Sequence, residues 1–197
     1  SVTKQNAGTL IVTGPNTYSG GTTVSGGTLQ GNTTSLQGDI ENNATVVFDQ
    51  ETTGTYTGVI SGTGDVIKEN AGTLVLRGAN TYSGETKVNA GALQANTTNL
   101  LGDIVNNATL IFDQANDGTY TGAISGPGSV TKLNVGTLVF TGPNNYSGGT
   151  TVSGGILQGD TTSLTGDIIN NATVVFNQAS EGTYAGIISG TGSVTKQ

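Results

Sequence analysis

The side chains that could do chemistry recur at a fixed interval. Asp39, Asp103 and Asp167 each follow a glycine, 64 residues apart. Asp49 and Asp113 share the same interval, but the third copy carries Asn177. Glycoside cleavage needs two carboxylates at a defined separation, one acid and one base or nucleophile. Such a site is made once, so an aspartate repeated three times points to a turn or ladder role. The loss of charge at Asn177 argues against a repeated metal ligand. Gly62-Thr-Gly64-Asp65 has the outline of a calcium-binding repeat, but the equivalents of Asp65 are Ser1, Ser129 and Ser193.

The chain has no His and no Cys. It can therefore build no imidazole base, thiolate nucleophile, zinc site or disulfide, and no cofactor is expected. Asn43-Ala-Thr45, Asn107-Ala-Thr109 and Asn171-Ala-Thr173 match a glycosylation sequon, as do Asn32-Thr-Thr34 and Asn96-Thr-Thr98. The plainer expectation is that Asn43, Asn107 and Asn171 are corner asparagines bonded along a ladder. Thr55-Tyr-Thr57 is too sparse, and its counterpart ends in Ala185, so an ice-binding threonine face does not form. Arg77, Glu85 and Lys87 are charged residues of the second unit without charged counterparts in the other two. They are expected near one another, thin support for a unique site. Lys4, Lys68, Lys132 and Lys196 read as a sparse surface column that blunts a face against sheet-to-sheet association.

These residues are positioned by a repeat. GTLIVTGPNTYSGGTTVSGGTLQG from Gly8 returns from Gly72 and Gly136, each time after 64 residues without insertion or deletion. GDIENNATVVFDQ from Gly38 keeps step as GDIVNNATLIFDQ and GDIINNATVVFNQ. The chain is therefore one array of three units, residues 1–64, 65–128 and 129–192, and residues 193–197 restart a fourth. A fixed period marks units that bury their faces against their neighbours. Tyr or Leu followed two residues on by Gly occurs three times per unit and nine times in all, in steps of 18, 20 and 26. The motif takes in Tyr18, Tyr56, Tyr82, Tyr120, Tyr146 and Tyr184. Reading each step as one turn of a coil gives three rungs per unit, nine in all.

Alternation along short Val-, Ile- and Thr-rich runs sends residues i and i+2 to one face. Leu10, Val12, Val46 and Phe48 then point inward, with Thr9, Ile11, Thr13, Thr45, Val47 and Asp49 outward. Gly31 occupies the place matching Val12 and Phe48 in the middle rung, leaving room between larger side chains. Phe48, Phe112 and Phe176 are expected in the core. Recurrent glycine disfavours helix, and Gly14-Pro15-Asn16, Ser25-Gly26-Gly27 and Asn42-Asn43 supply turns. Glu51-Thr52-Thr53 varies between copies and is expected to project as the longest turn. The fold expected is all-β, a parallel β-helix, or β-solenoid, in which an added residue would misalign every stacked side chain.

Only 10% of residues are charged, and acids outnumber Lys plus Arg by 13 to 6, so a nucleic-acid partner is not expected. No apolar run is long enough for direct membrane insertion.

The pattern G-T-L-x-x-x-G-x-N-x-Y-S-G-x-T-x-V-x-x-G-x-L-Q, at Gly8–Gln30, Gly72–Gln94 and Gly136–Gln158, resembles the autotransporter-associated β-strand repeat, or passenger-associated transport repeat. The resemblance implies a right-handed parallel β-helix that is extracellular, at the bacterial cell surface or secreted. It implies a stalk, adhesin or fibre, and no catalytic residues. A polysaccharide-acting enzyme or glycan-binding module on a β-helix is the alternative. Because residues 1–5 equal residues 193–197, the segment reads as a cut from a longer array. Expected partners are copies of itself, end to end, and a ligand on a host or neighbouring cell.

Overall fold

In the computed structural model, which describes residues 1–197, the chain coils into a three-faced β-solenoid of parallel strands, with no helix. The first repeat contributes eight strands: β1 (Val2–Lys4), β2 (Thr9–Ile11), β3 (Thr22–Val24), β4 (Thr28–Gly31), β5 (Ile40–Asn42), β6 (Thr45–Asp49), β7 (Gly54–Tyr56) and β8 (Ile60–Ser61). Two further sides of the coil are irregular. One runs from Val12 to Gly21, the other from Asn32 to Asp39.

Parallel pairing joins β1 to β3, β3 to β5 and β5 to β8 on one face. On the next face β2 joins β4 and β4 joins β6, which pairs with Asp65–Glu69 of the second repeat. The third face takes β7, which pairs with Thr73–Leu76. The first face continues beyond β8 without regular strands. There the Ile60 amide bonds to Asn80, and Asn80 bonds to the Asn99 carbonyl. Strands resume on that face at Gly118–Tyr120 and run to Ser193–Lys196.

Each repeat thus has ten sides, and ten is not a multiple of three. The chain climbs from Val2 to Thr22, Ile40 and Ile60 in turns of 20, 18 and 20 residues. A 64-residue repeat is therefore about three and a third turns, and every sequence feature moves to the next face in the next repeat. The segment completes about ten turns rather than nine. At about 4.8 Å per turn it is a rod roughly 48 Å long. The steps of 18 and 20 are turns, but the step of 26 from Tyr56 to Tyr82 is a turn plus one side. The tyrosine motif accordingly forms three short columns, one per face.

The inward-facing side chains are as the sequence implies, whereas Val47, expected outward, is buried as well. Leu29, Val46, Phe48, Leu74, Leu93, Phe112, Leu138 and Val174 are in the core, a continuous cluster of 31 buried residues. Leu10 points the same way yet is 40% exposed, because no strand lies beneath it; its counterparts Leu74 and Leu138 are fully covered. Phe48 meets Tyr56 edge to face at 5.0 Å, and Phe112 meets both Tyr120 and Phe140. Glu51-Thr52-Thr53 is exposed, as expected of a variable stretch, but it is short. The Val12–Gly21 side is longer, because β2 and β3 lie on faces separated by a whole irregular side.

Gly31 pairs directly with Phe48. The space above its α-carbon is filled by the turn that follows it: a Cβ there would lie 2.5 Å from the Ser35 hydroxyl and 2.9 Å from Leu36. Ser35 is held in place by the Asn32 amide, which donates to its hydroxyl at 2.8 Å. The second repeat has Ala95 and Asn99 instead. Asn99 turns its amide away, donating to the Arg77 carbonyl at 3.0 Å and the Gly78 carbonyl at 2.6 Å. Gly31→Ala should therefore cost about 1–3 kcal/mol in urea unfolding, and adding Ser35→Asn should recover at least half. A neutral Gly31→Ala would show that this seat is loose.

Candidate functional site

The lysines of the expected column, Lys4, Lys68, Lys132 and Lys196, are where the structure departs most from the sequence expectation. They do not stand in one column, and three of the four are not on the surface. Lys68 and Lys132 are fully buried and Lys4 nearly so; only Lys196, in the last strand, is exposed. In Val66-Ile67-Lys68 the lysine shares the inward parity of Val66, and it pairs directly over Phe48. Its stem lies in the core while its ammonium reaches the corner. There it donates to the carbonyls of Glu69 at 2.6 Å, Asn70 at 2.6 Å and Ala90 at 3.1 Å. Lys132 does the same with Leu133, Asn134 and Gly154, and Lys4 with Gln5, Asn6 and Gly26. The three asparagines in these turns, Asn6, Asn70 and Asn134, are left-handed at φ 63°, 65° and 66°. Asparagine tolerates that region better than most side chains. Burial lowers the pKa of Lys68 and Lys132, with nearby Glu69 and Asp113 respectively opposing the shift most strongly.

The asparagine expectation shifts by one residue. Asn43, Asn107 and Asn171 are exposed and lie on three different faces, so they do not stack on one another, but Asn43 accepts from the Thr63 amide at 3.3 Å and Asn107 donates to the Asn89 side chain at 3.2 Å, each bond crossing to a neighbouring turn. The buried amides belong to Asn42, Asn106 and Asn170. Asn42 donates to the Asp65 carbonyl at 2.9 Å and accepts from the Ala44 amide, and Asn106 and Asn170 repeat this with Ser129 and Ser193. The inward parity of the second strand residue before each Asn-Asn pair was the signal: Ile40 and Asn42 share it. Asn32 and Asn96 close turns on Thr34 and Thr98, and Asp160 does the same in the third repeat. The bond from Thr162 is the main cause holding the Asp160 carboxyl below its ordinary value.

The tyrosines fall into two kinds. Tyr18, Tyr82 and Tyr146 share a hydrogen bond with the threonine hydroxyl four residues on. Tyr56, Tyr120 and Tyr184 donate to the carbonyls of Gly38, Gly102 and Gly166, one turn below. Phe48 and Phe112 are wholly buried and Phe176, near the last turn, is 9% exposed.

The aspartates act as hydrogen-bond acceptors, some for backbone amides and some for side-chain amides. Asp39, Asp103 and Asp167 each take the amide of the residue 20 positions on, at 2.8 Å. They sit on three different faces and form no carboxylate pair. Asp49 accepts from Gln30 on one turn and Asn70 on another, and Asp113 accepts from Gln94 and Asn134. The singular charges separate into two places. Lys87 sits 3.0 Å from Glu85 and 3.7 Å from Asp65, whereas Arg77 reaches Asp113 at 3.5 Å. No group of three or more carboxylates converges on a point, and every buried side-chain nitrogen and oxygen has a partner. The arrangement is chemically a set of backbone clamps on a stacked core.

A family model matches residues 2–30, 66–95 and 130–158, one stretch per repeat. These three stretches are passenger-associated transport repeats. Each transport repeat spans five sides of the coil. Each contains the buried lysine, the left-handed asparagine that it clamps, and the tyrosine bonded to threonine. The chain is also 37% identical over 191 residues to the "Adhesin BmaC autotransporter" of Brucella suis biovar 1 (strain 1330). That alignment takes in 78% of this chain and 5% of the relative's length. No solved structure matches the chain.

Proposed function

We propose that the chain is a rigid, non-catalytic rod segment of an autotransporter passenger, held at or released from a bacterial surface as part of a stalk, adhesin or fibre. The observation that carries this reading is that all three transport repeats join one unbroken stack of parallel turns, clamped from within by lysines. A solenoid of this kind lengthens by adding turns without altering its section, which suits a spacer or a long adhesive surface. The adhesin likeness supports the surface role. The repetition of Asp39, Asp103 and Asp167 as backbone acceptors supports a role other than polysaccharide cleavage.

Isolated segments associate end to end under this proposal. The first turn leaves Leu10 and Ile11 exposed, the last leaves Ile187 and Val194, and a cavity of about 370 Å³ opens beside Phe176 and Tyr184. In the second repeat the matching Phe112–Tyr120 pair is covered by Phe140 from a later turn. Sedimentation velocity across a wide concentration range should show elongated species that grow with concentration. A strictly monomeric rod whose terminal turns resist hydrogen exchange as well as its centre would overturn the association.

A further inference from the structure

The same surface cleft occurs in each repeat, and its contents differ. In the third repeat Val139, Phe140 and Thr141 on one turn, Gln158, Gly159 and Asp160 on the next, and Asn177 on a third enclose about 160 Å³. The corresponding cleft of the first repeat holds about 280 Å³. In the second repeat it is reduced to about 10 Å³, lined by Arg77, Ala95 and Asp113 in place of Thr141, Gly159 and Asn177. Arg77 lies across that cleft with its guanidinium 3.5 Å from Asp113. An arginine unique to one repeat thus stands where the other repeats keep threonine and an opening.

We propose that the third-repeat cleft is a binding subsite for a neutral saccharide ring. In the first two repeats the floor glutamine is engaged: Gln30 donates to Asp49 at 2.8 Å and Gln94 to Asp113 at 2.9 Å. In the third repeat the carboxylate is replaced by Asn177, and Gln158 makes no such bond. Two carboxamides, those of Gln158 and Asn177, then face the cleft without a carboxylate between them. A carboxamide both donates and accepts, so a pair of them matches neighbouring hydroxyls, which do the same. Thr141 adds a hydroxyl at the rim. The Asp160 carboxylate and the net charge of −7 disfavour an acidic sugar. This goes beyond the rod reading and stands or falls separately from it, since it requires neither stacking nor a particular parent length.

The test is a titration of the ¹⁵N-labelled 197-residue chain with the methyl glycosides of glucose, galactose, mannose and N-acetylglucosamine, one at a time. With at least one of them, saturable shifts should centre on Gly159 and on the side-chain amides of Gln158 and Asn177. Thr141→Arg should abolish those shifts and leave the rest of the spectrum in place. Asn177→Asp, which restores the acceptor for Gln158, should weaken binding at least fivefold. Both substitutions install residues that the second repeat already carries at the same places, so the fold should accept them. Absence of saturable shifts with all four glycosides, or saturable shifts that survive both substitutions, would overturn the subsite while leaving the rod untouched.

Discussion

Lys68→Met should destabilise the solenoid by about 3–5 kcal/mol, a large share of the total for a protein of ordinary stability. Methionine keeps most of the stem that packs over Phe48, so little of the loss comes from a cavity. The loss comes from the carbonyls of Glu69, Asn70 and Ala90, which converge on one ammonium. Each buried acceptor left without a donor costs about 1–3 kcal/mol, and relief from burying the charge offsets part of the sum. Lys196→Met is the matched control. Its lysine occupies the same repeat position but is exposed, so the change should stay within about 0.5 kcal/mol. Urea midpoints of the two variants decide the matter. Equal and small effects would mean that the lysine clamp contributes nothing beyond its stem.

Raising the pH above 10 should unfold the rod cooperatively. Burial pushes Tyr82 and Tyr146 up to about 12 from an ordinary 10.0, with the bonds from Thr86 and Thr150 working against the shift. Burial drives Tyr56 and Tyr120 up as well, and does so further. A group whose folded pKa lies above its unfolded value stabilises the fold fully below the unfolded value. That contribution is lost as pH rises through the folded value. The unfolded chain therefore releases its phenolic protons first, and Tyr82 and Tyr146 alone withdraw about 2–3 kcal/mol each by pH 12. Lys68 and Lys132 act in the opposite sense, since lowered pKa values make stability rise with pH below 10.5. Four deeply buried phenols outweigh two lysines. Absorbance at 295 nm should rise in one steep step together with loss of the β-sheet circular dichroism signal. A gradual rise near pH 10 with the fold intact would mean that the phenols are open to water.

The difference between the two orders of structure is clearest at the lysines and tyrosines. Strand alternation is a local property, fixed by the two-residue pleat, so the sequence alone determined that Leu29, Val46 and Phe48 face inward. It determined as well that the chain is an array, that Gly31 answers Phe48, and that imidazole and thiolate chemistry are absent. Lys68 was legible by the same parity, sharing the face of Val66, but its charge argued for the surface. Only the tertiary structure brings three turn carbonyls to its ammonium, from residues as far apart as Glu69 and Ala90, and so makes burial favourable.

The number of turns was likewise beyond the sequence. A repeat length counts residues, whereas a turn closes where a strand finds its hydrogen-bonded neighbour, and pairing such as Thr22 with Ile40 and Ile40 with Ile60 sets that distance. Ten sides wound on three faces leave a remainder of one. The remainder carries Asp39, Asp103 and Asp167 to three separate faces, turns the expected lysine and asparagine columns into spirals, and places Arg77 over a cleft that Thr141 leaves open. Sequence specified each side of the coil; the closure of the coil on itself decided which sides meet.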